Sequence, residues 1–272
     1  IRNKKKKIEV VLADKSFNAD VVCFTEHWLK ESEYEYLNFQ NYSLISKFCR
    51  KKIQNGGSCI YIKSSLEARP YKQFENINQE EHFESSIVEL PKLNMIIICV
   101  YRTPTSDVEI LIENLDFILS NLINRFKYII IVGDLNIDFL SNNANMHLKA
   151  VLNSYGLEAV INVPTRIGHN SKTAVDQIIL NRRICNYTFS VVPMGFSDHF
   201  AQIMKIGLKL TGKTENIRTQ ASSDQFMTVR SCQEENIQHL NFLLSKETCE
   251  QVFRQNNVNS AYNEFVQSFS YC

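Results

Sequence analysis

Short apolar runs alternate with amphipathic or polar stretches from residue 21 to about residue 208, the pattern of a mixed α/β protein with layered sheets. The runs predict strands at 21–24, 42–46, 58–62, 84–90, 95–101, 128–132, 177–180, 188–192 and 201–206. Helical spacing predicts helices at 5–14, 107–121 and 147–154. The middle one begins well: Ser106 or Asp107 can cap it, and Ile110, Leu111, Leu115, Ile118, Leu119 and Leu122 form one stripe. Gly156 then ends the next helix as a left-handed cap would.

After Leu210 the texture changes. Residues 211–223 are polar, rich in Thr, Ser, Lys and Gln, and carry no strand pattern, as a linker does. From about 235 to 269 apolar residues return at helical spacing, first Ile237, Leu240, Leu243 and Leu244, then Tyr262, Phe265 and Val266. They predict two helices that pack on something outside the chain. The expected organisation is a folded domain over 1–208, a linker over 209–234 and a helical segment over 235–272. The chain opens without a methionine inside one amphipathic pattern and closes inside another, so both ends are expected to be cut ends.

A length of 272 residues at 44% hydrophobic content suffices for one large core. Thirty basic residues against 29 acidic ones leave a charge of +1, so a polyanion would have to be bound locally rather than drawn in by a global field. Eight cysteines without a C-x-x-C pair, several inside apolar runs, read as small hydrophobes in a reducing interior. With no signal-peptide pattern and no run of about 18 apolar residues, no membrane partner is expected. The four lysines at 4–7 are either a solvated helix start or a nuclear address or phosphate contact.

Several apolar runs lead straight into a residue of metal-ligand or acid–base type, as when a site is assembled at strand ends. The first ends in Thr25-Glu26-His27-Trp28. Glu26 offers the hard oxygen that Mg²⁺ takes, or is a surface carboxylate, while His27 and Trp28 are expected to pack or cap locally. The run at 128–132 passes into Gly133-Asp134-Leu135-Asn136. If that segment stays extended, period-two alternation puts Asp134 and Asn136 on one side. A carboxylate could then deprotonate an attacking water and an amide could donate to a phosphoryl oxygen. The other reading is a Gly-Asp turn closed by an Asx hydrogen bond.

Asp176 stands at the mouth of the 177–180 run, and Ser197-Asp198-His199 precedes 201–206. A histidine near phosphate is useful once a carboxylate fixes its tautomer, which makes Asp176 the candidate orienter of His199. Tyr101 could hand its hydroxyl to a phosphate or leaving group, or sit at the core edge. Arg166 and Thr173, ahead of Asp176, are candidate DNA contacts, with a plain surface role equally open for Arg166.

In this order, Glu26, Tyr101, Asp134-x-Asn136, Asp176 and Asp198-His199 resemble the endonuclease/exonuclease/phosphatase superfamily. The flanking words are most similar to endonuclease domains of jockey-like non-LTR retrotransposons: Phe24-Thr25-Glu26-His27-Trp28-Leu29, Gly56-Gly57-Ser58-Cys59-Ile60-Tyr61-Ile62, Val100-Tyr101-Arg102-Thr103-Pro104, Gly133-Asp134-Leu135-Asn136, Pro164-Thr165-Arg166 and Ser197-Asp198-His199. The resemblance spans roughly residues 5–206. It implies a four-layer α/β/β/α sandwich of the deoxyribonuclease kind, with the family's first strand missing ahead of Ile1 and a helical tail leading toward an absent reverse transcriptase.

The resemblance also implies roles. Glu26 would hold one Mg²⁺ or Mn²⁺, Asp134 would position the water, and Asn136 and His199 would stabilise the transition state. Asp176 would orient His199, Asp198 would support the metal or its water, and Tyr101 would help at the phosphate. The implied partners are a DNA substrate and, in a full-length polyprotein, the element's RNA and reverse transcriptase, with action inside the cell, in the nucleus. Pro104 stands where abasic-site enzymes often carry an asparagine, which removes one amide donor. Two other readings stay open: an impaired fragment that only folds or binds DNA, and a small-substrate phosphatase.

Overall fold

The computed structural model describes residues 1, 3–14, 17–141, 143, 145–168, 171–208, 245 and 248–271. Each predicted run becomes a strand. In chain order the elements begin with α1 (Lys5–Ala13), β1 (Val21–Thr25), β2 (Tyr42–Phe48), β3 (Ser58–Lys63), β4 (Arg69–Pro70), β5 (Glu84–Leu90) and β6 (Met95–Tyr101). There follow α2 (Val108–Leu122), β7 (Tyr128–Asp134), α3 (Met146–Ser154), β8 (Leu157–Ala159), β9 (Arg166–Ile167), β10 (Lys172–Thr173) and β11 (Asp176–Asn181). Last come β12 (Tyr187–Val192), β13 (Ala201–Ile206), α4 (Glu250–Phe253) and α5 (Val258–Tyr271). The pairs too short for a periodic signal, β4, β9 and β10, were not legible as strands.

Among the described residues the principal sheets are one of six strands, ordered β4-β5-β6-β7-β11-β8, and one of three, ordered β1-β3-β2. The β12-β13 hairpin and the β9-β10 pair stand beside them. Within the six-stranded sheet only β6 and β7 run parallel, which requires a crossover, and α2 supplies it. The two principal sheets face each other. Ser58 on β3 and Ser86 on β5 share a hydrogen bond of 2.9 Å, and the Ile87 amide donates to Ser46 Oγ on β2 at 3.1 Å. One core cluster lies under α2 and α3, joining Leu111, Leu115 and Leu148 to Ile96, Ile98 and Ile129. A second packs Ile8 of α1 against Phe39, Cys59 and Tyr61.

Asp107 is the cap of α2, its carboxylate accepting from the Glu109 amide at 3.0 Å. The buried stripe keeps Leu111, Leu115, Ile118, Leu119 and Leu122 and takes Ile112 in place of the expected Ile110. Gly156 has a φ of +68°, the left-handed stop read from the sequence. Gly133 is required for a different reason. Its φ is +143°, and a Cβ there would lie 1.9 Å from the Val100 carbonyl oxygen across the β6–β7 pairing.

Contacts divide the chain into two units, Ile1–Gln225 and Phe226–Cys272. In the second, α5 realises the later of the two expected tail helices, with Tyr262 largely exposed. The linker over 209–234 and the earlier tail helix lie outside the described residues. The described cysteines are free thiols, with Cys59 and Cys99 buried as small apolar side chains and Cys185 exposed. No helix of the described residues is long and apolar enough to cross a membrane.

Candidate active site

Strand register assembles the site. Glu84 opens β5 opposite Tyr101 at the end of β6, Tyr101 lies opposite Asp134 at the end of β7, and Asp134 lies opposite Asp176 at the start of β11. Residues directly across a ladder project to the same face, so four polar side chains form one row over four strands. All four are buried. On the facing sheet β1 ends next to Glu26, and Glu26, Asp134, Asp176 and His199 line one cleft of about 320 Å³.

His199 Nδ1 lies 2.9 and 3.1 Å from the two carboxylate oxygens of Asp176. A carboxylate only accepts, so Nδ1 carries the proton and the ring's other nitrogen is left for a ligand. The Asp176 amide donates to Thr165 Oγ1 at 3.2 Å, and the Phe200 amide to the Thr165 carbonyl at 2.7 Å, tying the Asp176 and His199 segments together. Asp134, Asp176 and His199 each offer a ligand atom within 4.8 Å of the others.

The electrostatics follow from this crowding. Burial raises the Asp134 carboxyl to about 7, and the Asp176 charge adds to the shift, while His199 and the Asn136 amide oppose it. Burial alone would lower His199, but the Asp176 hydrogen bond and the charges of Asp176, Asp134 and Asp198 outweigh it, so its pKa is raised. Burial, then the charges of Glu26 and Asp134, push the Tyr101 phenol above its ordinary value, so it stays protonated at neutral pH.

Three of these positions have surroundings that periodicity alone did not specify. The extended geometry assumed for Asp134 and Asn136 stops at Asp134. Asn136 adopts a φ of +49°, its amide N–H donates to Asp134 Oδ1 at 3.0 Å, and its side-chain Nδ2 donates to the Arg102 carbonyl at 2.7 Å. The Asx turn wins, and the Asn136 amide braces the loop instead of entering the cleft. Asp198, expected to support the metal or its water, lines the same cleft as Glu26 and Asp134, is 63% exposed, and accepts from Arg166 Nη2 and Nε at 2.8 and 3.0 Å. Its partner Arg166, a candidate DNA contact, is therefore engaged by a carboxylate, and Thr173 is simply the β10 residue paired with it. Finally, His27 packs as expected but Trp28 does not. His27 is fully buried between Phe48 O at 2.9 Å and Tyr34 Oη at 2.8 Å, whereas Trp28 is 47% exposed and lines the cleft.

Two arginines escaped the sequence reading. Arg102 is buried, and its guanidinium donates to the carbonyls of Leu135 at 2.8 Å, Asn136 at 2.9 Å and Ser106, so it shapes the whole Asp134–Asn136 turn. Arg50 pairs with buried Glu84 at 2.5 Å and stands 5.9 Å from the Tyr101 ring centroid. Glu84 also accepts from the Gly57 amide at 2.5 Å, and the Gly57 carbonyl in turn accepts from the Glu26 amide at 2.7 Å. Tyr101 and Glu26 are thus linked through one buried carboxylate. Neither arginine had a local signal, since each sits in a loop and the partners that tie it to the site, Glu84 for Arg50 and the Leu135 and Asn136 carbonyls for Arg102, are more than 30 residues away.

Several solved structures share this fold. The endonuclease domain of TRAS1, a telomere-specific non-LTR retrotransposon, superposes with a TM-score of 0.57 at 15% identity, covering 76% of this chain and 95% of its own. The AP endonuclease LMAP from Leishmania major gives 0.59 at 15% identity, covering 75% and 84%. The 3′ phosphatase NExo from Neisseria, bound to a product DNA hairpin, gives 0.56 at 12% identity, covering 75% and 95%. No curated protein sequence matches. Residues 6–199, which hold Glu26, Tyr101, Asp134, Asp176 and His199, match the endonuclease/exonuclease/phosphatase family, and the chain belongs to that family.

Proposed function

We propose that the chain is a divalent-cation-dependent endonuclease that hydrolyses phosphodiester bonds in DNA. The observation that carries this reading is the Asp134–Asp176–His199 group, with its ligand atoms within 4.8 Å of one another in the cleft that also holds Glu26. The donor set fits a hard cation. Crowded carboxylates leave Asp134 raised toward neutrality, and Mg²⁺ or Mn²⁺ takes such oxygens. Glu26, which lines the same cleft as Asp134, Asp176 and His199, would hold the ion, which when bound supplies neutralisation of charge on the phosphoryl oxygens.

The chain's own side chains perform the remaining work. Asp134 orients the attacking water and accepts its proton, a task suited to a carboxyl whose pKa lies near the working pH. His199, held through Nδ1 by Asp176 and kept cationic by the surrounding acids, presents its Nε2–H to a phosphoryl oxygen as charge builds there. Tyr101, protonated and in line with Asp134, donates its hydroxyl to the same phosphate. The choice of DNA rests on the nucleic-acid enzymes that share the fold, and the retrotransposon setting on the TRAS1 endonuclease among them. In that setting the cut would leave a 3′-hydroxyl priming reverse transcription, with the element's RNA and reverse transcriptase as partners.

The test is nicking of supercoiled plasmid. Relaxed circles should form with Mg²⁺ and disappear with chelator or in His199→Ala. Equal product with and without chelator overturns the proposal. Oligonucleotide binding without nicking would mark a fragment that only binds DNA, and phosphate release from inositol polyphosphates outpacing nicking would move the chain to small substrates.

A further inference from the structure

The segment Glu26-His27-Trp28 is held more rigidly than a loop leaving a strand requires. Glu26 and Trp28 both have positive φ, +49° and +62°, and their amides donate to the carbonyls of Gly57 and Gly56 at 2.7 and 3.0 Å. Between them the His27 ring is buried, accepting from the Leu29 amide at 2.9 Å and bonded to Tyr34 and Phe48. Trp28 is therefore fixed relative to the cleft carboxylate, with at most about 7 Å between the two Cα atoms.

Positive φ is unfavourable for a bulky side chain, and glycine or asparagine would satisfy it with less strain. Packing does not account for the indole either, because Trp28 is 47% exposed while its neighbours His27 and Leu29 are buried. What Trp28 does is line the cleft that Glu26, Asp134 and His199 also line, and Lys4 is a further lining residue. An aromatic face next to a cation is how proteins hold a single strand, the base stacking on the ring and the phosphate meeting the charge. Inside a duplex both faces of a base are covered by its neighbours, so an indole at this position reaches a base only where stacking is already broken.

We propose that Trp28 is the stacking platform for an unstacked nucleobase flanking the scissile phosphate, so that the cleft favours single-stranded, gapped or kinked DNA over continuous duplex. This rests on the endonuclease reading and names its substrate class. Trp28 is the chain's one tryptophan, so fluorescence of the full chain excited beyond the absorption of its tyrosines reports this residue alone.

The experiment titrates the full chain, in chelator to prevent turnover, with a short single-stranded oligonucleotide, the matching duplex, and an abasic oligonucleotide of equal length. Single strand should quench the fluorescence saturably, duplex at about tenfold higher concentration, and the abasic strand hardly at all. By anisotropy of a labelled strand, Trp28→Ala should bind roughly 5- to 150-fold more weakly and Trp28→Phe should keep most of the affinity. Unchanged fluorescence at saturating oligonucleotide, or a Trp28→Ala protein that binds both forms as the parent does, overturns the proposal. If the parent chain still nicks plasmid in that case, only the role of Trp28 falls. If it neither nicks nor binds, the endonuclease reading falls with it.

Discussion

Asp134 and His199 carry opposite kinds of information at the scale of single residues. Asp134 is raised to about 7 from an ordinary carboxyl value near 3.8, so the folded state holds a proton the unfolded chain has lost. Stability from that proton is complete below the unfolded value and disappears as pH rises through about 7. Asp134→Asn, neutral at every pH, should therefore melt higher than the parent at pH 8 in chelator, equal it near pH 4, and lose nicking. Equal melting at pH 8 would refute the buried, like-charge account. His199 is raised by Asp176, so Asp176→Asn should move the alkaline limb of the nicking profile to lower pH and slow the reaction by about 10²–10³, the scale of losing one transition-state donor. A limb that stays in place would separate the two residues. The sequence could nominate both because each flanks an apolar run, Asp134 after 128–132 and His199 before 201–206, whereas the Arg166 partner of neighbouring Asp198 has no such signal.

Individual elements place these residues by backbone demands that side-chain periodicity does not encode. The β6–β7 pairing brings Val100 so close to Gly133 that no Cβ fits, whereas Gly156 is surrounded by open space and is needed only for its φ. Urea unfolding should show Gly156→Ala costing about 1 kcal/mol and Gly133→Ala more than about 4 kcal/mol, in the range of severe core lesions. Similar costs would mean the strands can part at little expense. Arg102→Met should destabilise by roughly 3–5 kcal/mol, because the carbonyls of Leu135, Asn136 and Ser106 lose a buried charged donor together. The helix-cap and strand patterns were legible in the sequence because they repeat within one element. The direction of Asn136 was not, because it depends on the sign of a single φ and on Arg102, 34 residues away.

For the first unit, Ile1–Gln225, a cation held by carboxylates that only folding brings together would make binding and folding one equilibrium. Mg²⁺ at 100 times its dissociation constant should stabilise the chain by about 2.7 kcal/mol, more at pH 8 than at pH 5 because the ligands must be ionised. Glu26→Gln should lose most of that shift in thermal melts, and Asp198→Ala should keep it. The reverse ranking would return Asp198 to the ion and remove Glu26 from it.

By itself the sequence determined the strands, the helix caps, the family and the acids at the ends of apolar runs, since each of these is written in residues adjacent along the chain. Tertiary structure decided which of those ends meet. The row from Glu84 to Asp176 comes from register across four strands, its two ends lying 92 residues apart in the chain, and the exposure of Trp28 beside buried His27 comes from two glycine carbonyls on another strand's approach. Periodicity fixes which side of its own element a residue faces, but the partner across the gap is set only when two sheets close on one another.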